Sequence, residues 1–171
     1  MQLAFVQALG PGETNHLLAE LALRATARGL RVVGVVQTNT PTTRTGHCDM
    51  DVTVLPAGPV LRISQDLGPL SKGCRLDPDA LETAVALSEA ALLAGADVLI
   101  VNKFGKHEAE GRGFRGLIAE ALARDIAVIV GLNGLNRAAF ERFGGGLARE
   151  ITPEAAALEH WLAGCAQGVP C

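Results

Sequence analysis

The richest chemistry in this sequence lies between Asn102 and Gly113, in the order Asn-Lys-Phe-Gly-Lys-His-Glu-Ala-Glu-Gly-Arg-Gly. Lys103, Lys106 and Arg112 carry the charge to hold an oxyanion, and the glycines let backbone N–H groups approach one. His107, with Glu108 and Glu110 beside it, has the groups of a general base or of an exposed polar turn. Just before them Val98-Leu99-Ile100-Val101 is an unbroken apolar run, which suits a strand buried on both faces of a parallel sheet. Ligands of open α/β sheets sit beyond the carboxyl ends of the strands, so the polar stretch falls where a site is expected. The alternative for so charged a stretch is a solvated strand-to-helix connection.

A second polar stretch, Asp66 to Leu76, contains Ser71-Lys72-Gly73-Cys74-Arg75. Glycine here permits the backbone angles of an anion nest, in which successive N–H groups converge on one oxyanion, and Arg75 adds a bidentate contact. A helix start at Asp77-Pro78 follows at once, although the Asp77 carboxylate competes for the same positive end. Ser64, Ser71, Lys72, Gly73, Arg75, Lys103 and Lys106 are therefore the candidate oxyanion-binding residues, with Arg44 and Arg62 as further cations. Cys48 and Cys74 fall in polar loops and are candidate soft metal ligands, against the commoner role of cysteine as an inert packing residue. His47, Cys48, Asp49 and Asp51 cannot all ligate one metal, because neighbours on a strand point in opposite directions.

The opening turn has the strand–glycine–helix context of a phosphate-binding loop, which needs G-x-x-x-x-G-K-[ST]. Aligned to that motif, Gln7 stands at the first glycine and Glu13 at the lysine, while Gly12 and Thr14 match. A carboxylate at Glu13 repels a triphosphate. The strand that would supply a magnesium-holding Asp ends instead in Asn102-Lys103. Gly10, Gly12, Thr14 and Asn102 are kept as candidate cofactor-binding residues of a degenerate loop, and ordinary Mg-NTP hydrolysis is not expected. Asn102-Lys103 also begins like the guanine-reading Asn-Lys-x-Asp, but Gly105 stands where its Asp would be.

These residues need a scaffold. Met1 to Leu9 reads as a first strand, His16 to Arg28 as a helix capped by Glu13-Thr14-Asn15, and Arg31 to Gln37 as a second strand. Thr38 to Met50 reads as a loop. Asp51–Leu55 and Val60–Gln65 form a hairpin around Pro56-Ala57-Gly58-Pro59. A helix runs from Asp77-Pro78 to Gly95, and another from Phe114 to Arg124. Ile126 to Gly131 is a buried strand, Asn136 to Phe143 a short helix, and Ile151-Thr152-Pro153-Glu154 opens a last helix through Trp161. Alternating strands and helices predict one α/β domain spanning residues 1–171: a parallel, three-layer sandwich with an inserted β-hairpin.

A chain of 171 residues is long enough to bury a substantial core, and its net charge of −3 argues against a nucleic-acid partner. No apolar run approaches the roughly 18 residues that span a bilayer, and the first residues lack a basic leader, so a cytoplasmic protein without a membrane partner is expected. Four scattered cysteines do not make a disulfide framework. The hairpin edge is free to support a homodimer.

Four strings, Cys48-Asp49-Met50, Ser64-Gln65-Asp66-Leu67-Gly68, Gly73-Cys74-Arg75-Leu76-Asp77 and Asn102-Lys103-Phe104-Gly105-Lys106 followed by Glu108-Ala109-Glu110-Gly111, carry a resemblance. Together they resemble a bacterial family of no assigned activity whose members are often encoded beside molybdate-transport genes, over nearly the whole chain to about Leu147. More distantly, the strand and hairpin order resembles the thermophilic nucleoside-triphosphatase branch of P-loop proteins. The resemblance implies a P-loop-like fold and supplies no catalytic residue. Joined to the candidate cations, it implies a protein that binds molybdate, tungstate or a molybdenum precursor, with partners in molybdenum transport or cofactor assembly. A divergent nucleotide-binding protein or NTPase, and a non-catalytic interaction module, are the alternatives.

Overall fold

The computed structural model describes residues 2–41, 48–68 and 75–166. Its strands and helices are β1 (Leu3–Val6), α1 (Glu13–Ala27), β2 (Val32–Pro41), β3 (Cys48–Leu55), β4 (Val60–Arg62), α2 (Pro78–Leu93), β5 (Val98–Val101), α3 (Lys106–Ala109), α4 (Arg115–Ala123), β6 (Ala127–Gly131), α5 (Arg137–Gly144), β7 (Ala148–Ile151) and α6 (Ala155–Ala166). The strands form one sheet in the order β4-β3-β2-β5-β6-β1-β7. β2, β5, β6, β1 and β7 pair in parallel, and β3 runs antiparallel to its neighbours β2 and β4.

The apolar runs divide by the two-residue period of a strand. Leu99 and Val101 of β5 pack with Val33, Val35, Val128 and Val130 beneath α2, α4 and α5. Val98 and Ile100 point the other way, with Ala4, Val6 and Ile129, towards α1 and α6. The result is the expected three-layer sandwich, and β5, β6 and β1 are buried along their whole length.

Several boundaries differ from the sequence reading. The first helix begins at Glu13, three residues before His16, because Gly12 adopts a left-handed angle (φ 78°) that turns the chain directly into it. Thr14 therefore lies inside the helix, its hydroxyl oxygen accepting from the Ala8 N–H at 3.1 Å. The described parts of the supposed Thr38–Met50 loop are strand: β2 continues to Pro41, and β3 starts at Cys48, with Thr40 opposite Asp49. Threonine suits a pleated, half-exposed surface, and cross-strand pairing decided between strand and loop. The hairpin is thus an extension of the main sheet, with β4 as a three-residue edge. The edge strand β7 and the short α3 were both missed, the latter inside the focal loop. Asp77 does cap α2, its carboxylate accepting from the Asp79 and Ala80 N–H groups.

Candidate functional site

The chain leaves β5 at Asn102 and enters a loop whose two ends are nailed into the core. Phe104 is fully buried against Phe140, ring centroids 5.1 Å apart in an edge-to-face arrangement, and Phe114 is buried at the far end. Between them the Glu108 carboxylate, only 3% exposed, accepts hydrogen bonds from the Gly105 N–H at 2.8 Å and the Phe114 N–H at 3.1 Å. Gly113 has a positive φ of 57°, and a Cβ there would lie 2.2 Å from a Glu108 oxygen, so only glycine fits. With its ends and middle fixed, the loop turns Lys103, Lys106 and Arg112 towards the carboxyl end of the sheet.

There the ends of β2, β3 and β5 open into a cleft of about 770 Å³. Val35, Met50, Val52, Ile63 and Leu81 give it apolar walls, and Lys103, Lys106, His107 and Arg112 line it from the focal loop. Arg75 and Cys48 line it from the other side of the sequence, and Gln37, Asn39, Asn133 and Asn136 contribute amides. Lys106 and Arg112 both pair with Glu110, whose carboxyl is held below its ordinary range chiefly by the Arg112 hydrogen bond. Lys103 is exposed and makes no ion pair with a described residue. Three lysine or arginine side chains from the loop against the exposed Glu110 and the already hydrogen-bonded Glu108 leave the mouth net positive.

Of the candidate oxyanion, cofactor and metal residues the structure brings five to this cleft, Arg75, Lys103, Lys106, Asn102 and Cys48, with Arg112, His107, Glu108 and Glu110 of the focal loop beside them. Their roles differ. Arg75 donates to the backbone carbonyls of Gln65 and Cys48, at 3.0 and 3.1 Å, which stitches the segment before α2 onto β3. Ser64 does not line the cleft; its hydroxyl oxygen accepts from the Met50 N–H, bracing β3. Asn102 is 3% exposed, its carbonyl oxygen accepting from the Gln37 N–H at 3.0 Å and its amide donating to Asn15 at 2.9 Å. It cross-braces β2, β5 and α1. Arg62, a further candidate cation, is held by Asp49 and Asp51 and stands outside the cleft. Arg44, His47, Ser71, Lys72, Gly73 and Cys74 lie outside the described residues, so the Cys48–Cys74 pair does too. Cys48 is a free, exposed thiol. Among the described residues no group of three or more His, Cys, Asp or Glu side chains is placed to hold a metal ion.

Gly10, Gly12 and Thr14 do not line this cleft; the two glycines lie in the turn after β1 and Thr14 in the first turn of α1. The Glu13 side chain folds back over that turn and accepts from the Gly10 N–H at 2.9 Å. The Ala8 N–H is already committed to Thr14. A negative charge of the chain's own thus sits where a phosphate-binding loop presents its N–H groups, and these residues do not fit a magnesium-bound triphosphate.

Residues 3–161 match the model of a family described as a protein of unknown function (DUF2478). The chain belongs to that family. Among characterised proteins, the molybdenum import ATP-binding protein ModC 2 of Bradyrhizobium diazoefficiens is 32% identical over 149 residues, which is 87% of this chain but only 17% of that relative. Two solved structures share the fold of this DUF2478 chain. A human cancer-related nucleoside triphosphatase superposes with a TM-score of 0.64 at 19% identity, covering 99% of each chain. THEP1 from the hyperthermophile Aquifex aeolicus does so at 0.61 and 16%, covering both chains fully. The DUF2478 fold is therefore P-loop NTPase-like, and the expected resemblance to both groups is met.

Sequence reading had not found the structural part of Glu108, the Asn15 partner of Asn102, or the four amides. Glu108 carried a local signal, since Gly105-x-x-Glu108 has the spacing of a carboxylate reaching back to a helix start. The amides of Gln37 and Asn39 carried none, because they were assigned to a strand end and a loop and not to one wall.

Proposed function

We propose that this chain is a cytoplasmic accessory domain of molybdenum uptake that binds an oxyanion group in the cleft beside β5, with molybdate, tungstate or a molybdenum-containing precursor as ligand. The observation that carries the reading is the division of charge between the two strand-end sites. Lys103, Lys106 and Arg112 face an open cleft, while the opening turn has its N–H group taken by Glu13. An anion is attracted to the first and repelled by the second. The molybdenum connection rests on the likeness to the import ATP-binding protein, of which the chain spans about a sixth. A domain matching one stretch of so much longer a relative fits a module that works beside an ATP-binding subunit. Partners among molybdenum transport or cofactor-assembly proteins belong to the same proposal, as does a homodimer through the β4 edge, which sedimentation of the purified chain tests.

Isothermal titration with molybdate, tungstate and sulfate tests the ligand. Saturable heat that Lys103→Ala removes is the expected result; no heat with any of the three ends the reading. The fold shared with the human cancer-related nucleoside triphosphatase supports a second one, a divergent nucleotide-binding protein or NTPase. Phosphate release from ATP with magnesium, lost in Lys103→Ala, would replace the first reading with it. A non-catalytic interaction module is the outcome if partners are captured and no ligand binds.

A further inference from the structure

We infer that the anion held at this cleft is the phosphate or equivalent group of a nitrogen heterocycle, an organic ligand of about nucleotide size bound on the α2 side of β5 and apart from the opening turn. The inference rests on the part of the reading above that places an anion at the cationic loop, and it puts an organic anion where that reading has a bare oxyanion. A bare tetrahedral oxyanion needs a small, wholly polar cradle, whereas this cleft measures about 770 Å³. That size falls within the roughly 300–1,000 Å³ of pockets that enclose organic ligands and cofactors. Its walls are Val35, Met50, Val52, Ile63 and Leu81, which offer an oxyanion nothing and offer a ring system a surface to displace water from.

The polar groups are sorted in kind. Charge comes from Lys103, Lys106 and Arg112 on the focal loop, and from Arg75. Neutral donor–acceptor groups come from two amide pairs. Gln37 donates to Asn39 at 2.7 Å, and Asn136 donates to Asn133 at 2.9 Å. Each amide side chain has a carbonyl acceptor and two N–H donors; the Asn133 oxygen also accepts from the Asn136 backbone N–H at 3.3 Å, so the bonds within the two pairs leave the Gln37 and Asn136 oxygens as acceptors and N–H groups of Asn39 and Asn133 as donors for a ligand. Mixed donor and acceptor edges are what a nitrogen heterocycle presents, and a metal oxyanion has acceptors alone. Apolar walls, amides and a cationic loop in one cleft match the ring body, the ring edge and the anionic tail of such a molecule.

The test compares probes on the intact chain by isothermal titration: molybdate, inorganic phosphate, ribose 5-phosphate, adenosine 5′-monophosphate and flavin mononucleotide, all without magnesium. At least one of the two heterocyclic phosphates is expected to bind about tenfold or more tighter than inorganic phosphate, and ribose 5-phosphate no tighter than inorganic phosphate. Lys103→Ala should weaken every probe that binds. Asn39→Ala, at an exposed position, and Met50→Ser should weaken only the heterocycles, with the folded state of each checked by its melting curve. Inorganic anions binding as tightly as the heterocycles would overturn this inference and leave the anion reading intact. Silence from all five probes would overturn both.

Discussion

Asn102 and Glu108 are the two buried polar side chains on which the site's geometry depends, each 3% exposed and each bonded twice. A buried polar group left without its partner costs about 1–3 kcal/mol. Glu108→Gln replaces one carboxylate oxygen with an N–H donor, which then faces either the Gly105 or the Phe114 N–H. Urea unfolding is expected to show a loss of about 1–3 kcal/mol with an unchanged slope. Asn102→Ala strands the Gln37 N–H and the Asn15 oxygen together, and a loss of similar size is expected from the same measurement. At the opening turn the expected effect is smaller, because the Gly10–Glu13 bond is exposed. Glu13→Gln should change stability by less than about 1 kcal/mol and so separates the turn's charge from the fold.

Elements are held in place by packing first and ion pairs second. Phe104 anchors the focal loop on Phe140 and Phe143, so Phe104→Ala is expected to cost about 3–5 kcal/mol and to loosen the cationic loop with it. Amide hydrogen exchange should show lost protection across residues 103–114. The starts of β2 and β5 are joined by Arg31 and Asp97, and the Asp97 carboxyl is held below its ordinary range, first by the Arg31 side-chain hydrogen bond and then by the Arg31 N–H. A carboxyl lowered in the folded state adds stability above its unfolded pKa of about 3.9, and that stability fades as pH falls below it. Asp97→Asn should therefore flatten the acid end of the stability curve and leave a small deficit above about pH 5. The pair is 61% and 36% exposed, so the deficit should be slight and should shrink further in salt.

For the whole molecule, ligand binding and folding are linked. A ligand at about 100 times its dissociation constant adds about 2.7 kcal/mol to the folded state, which for a domain of this size raises the melting temperature by roughly 5–10 °C. Such a shift is expected with a cleft ligand in wild type and not in Lys103→Ala. ATP with magnesium should give none through the opening turn, where Glu13 stands in the way. No described helix is long and apolar enough to cross a membrane.

The apolar run of β5 and the Asp77-Pro78 helix start were legible in the chain because each acts over a few residues. So were the layer order and the cationic content of the focal loop. The division of Arg75, Ser64 and Asn102 between ligand-facing and bracing roles was not, because each depends on partners 10 to 87 positions away. The same holds for the cleft itself, whose walls come from β2, β3, α2 and the loop after β5. Sequence alone determined which segments would be strand or helix in the core and which charges were available. Only tertiary structure decided which of those charges remain free, since hydrogen-bond partners are set by three-dimensional proximity and not by chain order.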